Sequence, residues 1–145
     1  MKRKVLMIII ASVFCGTNLY TQNINRERLE AYKIGFFTKR LSLTAQEAEK
    51  FWPVYNEYQE LRNKIQLERQ EININFNRKG LSMSDREMIE AADRLVALEV
   101  MEAGLAQEFH IKIKNILPPV KVLRFYQAEN QYRVLLLNEL RSRNR

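Results

Sequence analysis

The sequence predicts an all-α protein, and three observations carry that prediction. Glycine and proline are scarce, at 4 and 3 in 145 residues. That is too few for the tight turns of a β-sandwich or the glycine-rich loops of a doubly wound α/β fold. Apolar residues recur at helical spacing in four successive segments, with no β-type alternation between them. Two Ser/Thr-x-x-Glu signatures, Thr44 to Glu47 and Ser84 to Glu87, stand directly before two of those segments, as capping boxes do at helix starts. Hydrophobic residues at 46% and charged residues at 28% give the balance of a folded chain rather than a disordered one.

Residues 1–21 read as an export signal, separate from the fold. Lys2, Arg3 and Lys4 form a charged head, Val5 to Phe14 an apolar run of ten, and Cys15, Gly16 and Thr17 a small-residue exit. Ten residues rise only about 15 Å as helix, half of a bilayer core of about 30 Å, so a retained membrane anchor is not expected. The cut is placed between residues 16 and 22, which leaves 22–145 as a single helical domain. Cys15 raises a lipoprotein alternative, but Phe14 occupies the position before it where a small residue is needed, so cleavage without lipidation is expected. Losing the three cations leaves 21 bases against 17 acids, a net charge of +4 in place of +7. The chain's one cysteine leaves with them, which excludes a disulfide framework.

The first helix is expected from about Asn25 to Arg40, with Leu29, Tyr32, Phe36, Phe37 and Leu41 on one face. Leu41, Ser42 and Leu43 link it to a second helix capped by Thr44. That helix carries Ala48, Phe51, Trp52, Tyr55, Tyr58, Leu61, Ile65, Ile72 and Phe76. Pro53 removes a backbone bond well past the first turn and is expected to kink the helix near Glu49. Arg78 and Lys79 suit the negative end of the helix dipole, and Gly80 is expected to take the left-handed cap conformation. The short connector to Met83 predicts an antiparallel hairpin. A third helix, capped by Ser84 and with Met83 stapled onto Met88, should run to Ile116. At about 33 residues it spans about 50 Å, which predicts an elongated four-helix protomer. Gly104 is expected to let another helix cross closely. Pro118 and Pro119 end that helix and start a fourth, which reaches Arg141 with Leu123, Tyr126, Tyr132, Leu136, Leu137 and Leu140. Charge is segregated: residues 44–108 carry 8 bases and 13 acids, residues 109–145 carry 8 bases and 2 acids.

Catalysis finds no support, and an enzyme is not expected. A nucleophile needs a base, and His110 is the single histidine. It has no second His or Cys with which to hold a metal. There is no glycine-rich phosphate loop, so no cofactor and no small-molecule substrate are expected. An exported basic protein meets no nucleic acid. Its charge suits acidic partners, unfolded chains or a membrane surface. Phe51 and Trp52, at helical spacing beside a capping box, are expected in the core rather than on a binding patch.

The stretch from Leu43 to Tyr58 resembles the first motif of the Spy and CpxP family of periplasmic envelope-stress proteins, known for two LTxxQ motifs. Leu43 and Thr44 match, and Glu47 replaces Gln, an equal partner in a capping box. Phe51, Trp52, Pro53 and Tyr55 extend the likeness. The second motif falls at Leu117, Pro118, Pro119, Val120 and Lys121, where the Thr and the final Gln are lost. Phe125, Tyr126, Gln127, Ala128 and Glu129 resemble the branch described as sensors of extracytoplasmic-function sigma factors. The resemblance implies a periplasmic four-helix protomer that pairs antiparallel into a homodimer. It also implies chaperone-like, ATP-independent binding of unfolded clients. The alternative it implies is a regulator that binds one membrane signalling partner. Arg124, Phe125, Tyr132 and Arg133 are the expected client or partner surface, because arginine beside aromatics suits varied, partly acidic chains.

Overall fold

The computed structural model describes residues 27–143. The expected export signal, its cut and Cys15 lie outside them. Four helices make up the described chain: α1 (27–41), α2 (Ala45–Lys79), α3 (Asp85–Lys114) and α4 (Pro119–Arg143), with no strand among the described residues. The fold is all-α. The chain divides into two units, one of Leu43–Leu123 and one joining the segment up to Ser42 to the segment from Arg124 onward.

The first unit is built on a helical hairpin. The Thr44 amide donates to Glu47 Oε2 at 2.8 Å, and the Glu47 amide donates to Thr44 Oγ1 at 3.2 Å. Ser84 and Glu87 form the same reciprocal pair at 2.8 and 3.3 Å. Both expected capping boxes therefore form, and each satisfies two backbone amides that a helix start leaves without intrahelical partners. At 35 residues, α2 is about 52 Å long. It runs unbroken through Pro53, which lies on its exposed side.

Gly80 corrects the expected turn. Its φ of −49° and ψ of −42° are right-handed, not left-handed, and it opens a turn of 3-10 helix, Gly80–Ser82. The tightening turn satisfies the end of α2 instead: the Gly80 amide donates to the Phe76 carbonyl and the Met83 amide to that of Lys79. Among the described residues the left-handed one is Ser42, with φ of 50°, in the link between α1 and α2.

Across the hairpin, partners meet in opposite chain order. Tyr58 stacks on Phe109 at 4.3 Å between ring centroids and 13° between planes, and Tyr55 meets the same ring edge-on at 6.3 Å. Phe51, Tyr55, Tyr58 and Ile65 of α2 are buried with Leu98, Phe109 and Ile113 of α3. Ion pairs flank this core: Glu57 with Lys112 at 2.8 Å, Glu102 with Arg62 at 3.1 Å, and Glu68 accepting from Arg94 at 2.9 Å. Gln66 also donates to both Glu102 oxygens, and Arg69 approaches one of them at 3.3 Å without hydrogen-bond alignment.

Two expectations about α3 change. It ends at Lys114 rather than Ile116, because the amides of Ile116 and Leu117 both turn back to the Ile113 carbonyl. Among the described residues none approaches within 4 Å of where a Cβ of Gly104 would stand, and Gly104 is exposed rather than crossed closely. Pro118 and Pro119 start α4 as expected. The Pro118 carbonyl accepts from Lys121 at 2.8 Å and Val122 at 3.1 Å.

The second unit packs α1 against α4 from Arg124 onward, again in opposite chain order. Phe37 meets Phe125 at 5.9 Å and Tyr132 at 5.5 Å, and Tyr32 stacks on Tyr132 at 6.3 Å. Phe125, Ala128 and Tyr132, the last two three and seven residues after the first, form a buried stripe of α4, and Phe37 and Leu41 are buried on α1.

The two residues Phe109 and Ile111 test this division of α3. Phe109→Ala removes the ring at the centre of the hairpin and should cost about 3–5 kcal/mol. Ile111→Ala, on the half-exposed side, should stay within about 0.5 kcal/mol. Chemical denaturation of the two variants checks it.

Candidate functional site

The residues of the first motif serve chiefly to start α2. Thr44 is its cap, Glu47 closes the box, Phe51 and Tyr55 are buried, and Leu43 and Trp52 are half-buried. Trp52 meets Phe51 at 5.2 Å and 73° and Tyr55 at 5.6 Å and 89°, edge-on in both cases. Of the second motif, Leu117 is buried and Pro118 and Pro119 are exposed. Further along α4, Tyr126 is half-buried and Gln127 exposed.

The two motifs meet through one ion pair. Lys121 Nζ donates to Glu47 Oε2 at 2.6 Å, and both side chains are largely covered. The Lys121 hydrogen bond first, and the Thr44 amide after it, hold the Glu47 carboxyl below its ordinary pKa against an opposing desolvation. Sequence reasoning placed both residues in motifs but did not pair them. Nothing in helical spacing links positions 74 apart.

The expected client surface on α4 needs correction. Phe125 and Tyr132 are buried in the aromatic core with Phe37, so neither is presented to a partner. Burial also raises the Tyr132 phenol above its usual pKa, with the Glu30 carboxylate adding to it. Arg124 and Arg133 are both exposed. Nine residues apart, they lie about 180° from each other around the helix and form no single patch. Arg124 instead shares a face with Gln127 and Gln131, near Arg40 of α1.

Exposed apolar residues occur on α1 and α4, among them Leu29, Val134 and Leu137, and also on the hairpin. Ile89, Val96, Val100 and Ile111 of α3 are 62, 61, 68 and 50% exposed. At 100° per residue they fall within a sector of about 60°, opposite the buried Leu98, Phe109 and Ile113. The inner side of α3 is covered by α2, while the outer sector is a mixed face that also presents Asp93 and Gln107. Beside the outer stripe, an open groove of about 430 Å³ runs between α2 and α3 over Leu61, Ile65, Met101, Gly104 and Leu105. Sequence reasoning missed the stripe because it followed a single apolar face of α3 and left Ile89, Val96, Val100 and Ile111 unassigned.

Among the described residues, no group of three or more His, Cys, Asp or Glu could hold a metal ion. No described helix is long and apolar enough to cross a membrane. No protein-family model, no curated protein and no solved structure matches the chain.

Glu47→Gln tests the contact between the motifs. Gln still serves the capping box but brings no charge to Lys121. Because the Glu47 pKa is depressed on folding, its contribution is present above the ordinary carboxylate range and is lost as pH falls through the lowered value. The variant should melt below the wild type at pH 7. The gap should close as pH falls below about 4. Thermal melts across that range check it, and a gap independent of pH would mean that charge is not what Lys121 reads.

Proposed function

We propose that the chain is an exported periplasmic binding protein of the Spy and CpxP type that holds unfolded clients without ATP. One observation carries this reading: the outward apolar stripe of Ile89, Val96, Val100 and Ile111 on α3. Exposed apolar side chains repeated along one sector, with Asp93 and Gln107 between them, offer contacts to other apolar chains. A surface rather than a deep pocket suits partners without a fixed shape. Glu90, Asp93 and Glu99 are exposed on the same helix, and such charged neighbours keep an uncovered stripe soluble. The capping-box motif at Leu43, Thr44 and Glu47 and the charged-apolar leader of residues 1–21 support export and family. The reading includes an antiparallel homodimer as the working assembly, to be weighed by light scattering at micromolar concentration.

The experiment is suppression of aggregation of two unrelated unfolding clients. The wild type should suppress both at near-stoichiometric ratio. Val96→Ser with Val100→Ser should weaken suppression severalfold. Stability should change by less than about 1 kcal/mol for the pair, because both side chains are mostly exposed. Suppression of neither client, with tight binding to one envelope signalling protein, would favour the regulator instead.

A further inference from the structure

We propose that the unit built from α1 and α4 contains an anion socket that takes a carboxylate of an acidic peptide segment. The socket is a cleft of about 190 Å³ lined by Arg40, Arg124, Gln127, Ala128 and Gln131. It goes beyond the client reading above, whose apolar stripe belongs to the hairpin unit.

The cleft exists because of Ala128. That residue is buried at 2% exposure, so the floor is closed, and its side chain stops at Cβ, so space is left above it. Gln127 and Gln131 lie three and seven residues after Arg124 and so share its face of α4. Arg40 completes the wall from the end of α1. Its guanidinium carbon stands 5.4 Å from the centre of the Phe36 ring. Phe36 is itself held by Phe37 at 5.6 Å and Tyr132 at 5.5 Å. Stacking engages the face of a guanidinium and leaves its N–H edge available.

The chemistry of the lining selects the ligand. Two guanidiniums bring two positive charges, and neither Arg40 nor Arg124 makes an ion pair among the described residues. No carboxylate lines the cleft to hold a cation. The planar N–H fork of arginine matches a carboxylate two-on-two, and glutamine amides add uncharged donors. Size narrows it further. Sites for whole small molecules run to about 300–1,000 Å³, so this cleft admits one anionic group and its stem rather than a complete metabolite. An acidic side chain on a longer chain meets that limit, because the rest of the chain stays outside.

The test uses a capped Gly-Glu-Glu-Gly peptide, its Gly-Gln-Gln-Gly counterpart and inorganic phosphate, titrated into nitrogen-labelled protein and followed by NMR. The glutamate peptide should shift the side-chain signals of Arg124, Gln127 and Gln131, and the glutamine peptide should not. Arg124→Gln and Arg40→Gln should each weaken binding about tenfold, the loss expected for one charge-assisted contact. Arg133→Gln, on the opposite face of α4, should leave it unchanged. Binding should weaken as salt rises. Arg40→Gln also gives up the stacking on Phe36, so circular dichroism accompanies it; Arg124→Gln carries the test if that variant loses its fold. Equal weakening by Arg133→Gln would reduce the effect to general positive charge and overturn the socket. So would absence of shifts at Gln127 and Gln131. Binding of phosphate without the peptide would overturn the peptide as ligand.

Discussion

A helix start leaves backbone amides without intrahelical partners, and the Glu47 carboxylate resolves that at one end of α2 while meeting the ammonium of Lys121. The same oxygen, Oε2, accepts from both the Thr44 amide and Lys121 Nζ. Lys121 stands in the first turn of α4, where its own amide is held by the Pro118 carbonyl. One side chain thus settles where α2 begins and which way the first turn of α4 faces. Pro118 and Pro119 supply no amide to extend α3, the Ile113 carbonyl accepts from the amides of Ile116 and Leu117, and the chain turns within four residues. The aromatic core from Phe51 to Tyr58 hangs below that junction.

Much of this was legible in the residues themselves. Thr44 and Ser84 were readable as caps because a cap needs only local chemistry: a hydroxyl, a carboxylate three positions on, and an apolar run after it. The prolines at 118 and 119 were readable for the same reason. Gly80 was not, because a helix can end in a left-handed residue or in a 3-10 turn, and the contacts beyond the turn decide between them. Gly104 was misread because a small residue permits a close crossing without requiring one. The pairing of Arg124 with Arg133 failed on geometry that spacing already contains, since nine residues turn a helix through two and a half revolutions. The partnership of Arg124 with Arg40, by contrast, needed the fold of the unit to bring α1 beside α4.

The candidate surfaces were the least legible part. A stripe of apolar residues says that a helix face avoids water, but not whether it is covered. On α3, Leu98 and Val100 lie two positions apart in sequence with opposite fates, one fully buried and one 68% exposed. Composition cannot separate them, because both are aliphatic and both sit in helical register with others of their kind. Buried position here is decided by which side α2 takes, and α2 takes the side that offers Phe109. That ring gives Tyr58 a face to stack on, and aromatic stacking contributes about 0.5–1.5 kcal/mol beyond the area it covers. Val100 has no such feature to attract a neighbour.

The polar links of the hairpin unit are also nested one inside another. Glu68 with Arg94 spans 26 positions, Gln66 with Glu102 spans 36, Glu57 with Lys112 spans 55 and Glu47 with Lys121 spans 74. Closing a loop costs entropy that grows only slowly with its length, by about 0.6 kcal/mol for each doubling. Once an inner link has formed, the next needs only the few residues on either side to be brought together, not the whole loop. The hairpin is therefore arranged to close like a zipper from the 3-10 turn at Gly80–Ser82. Its widest link, the one that joins the two motifs, is reached most cheaply when the rest is already shut.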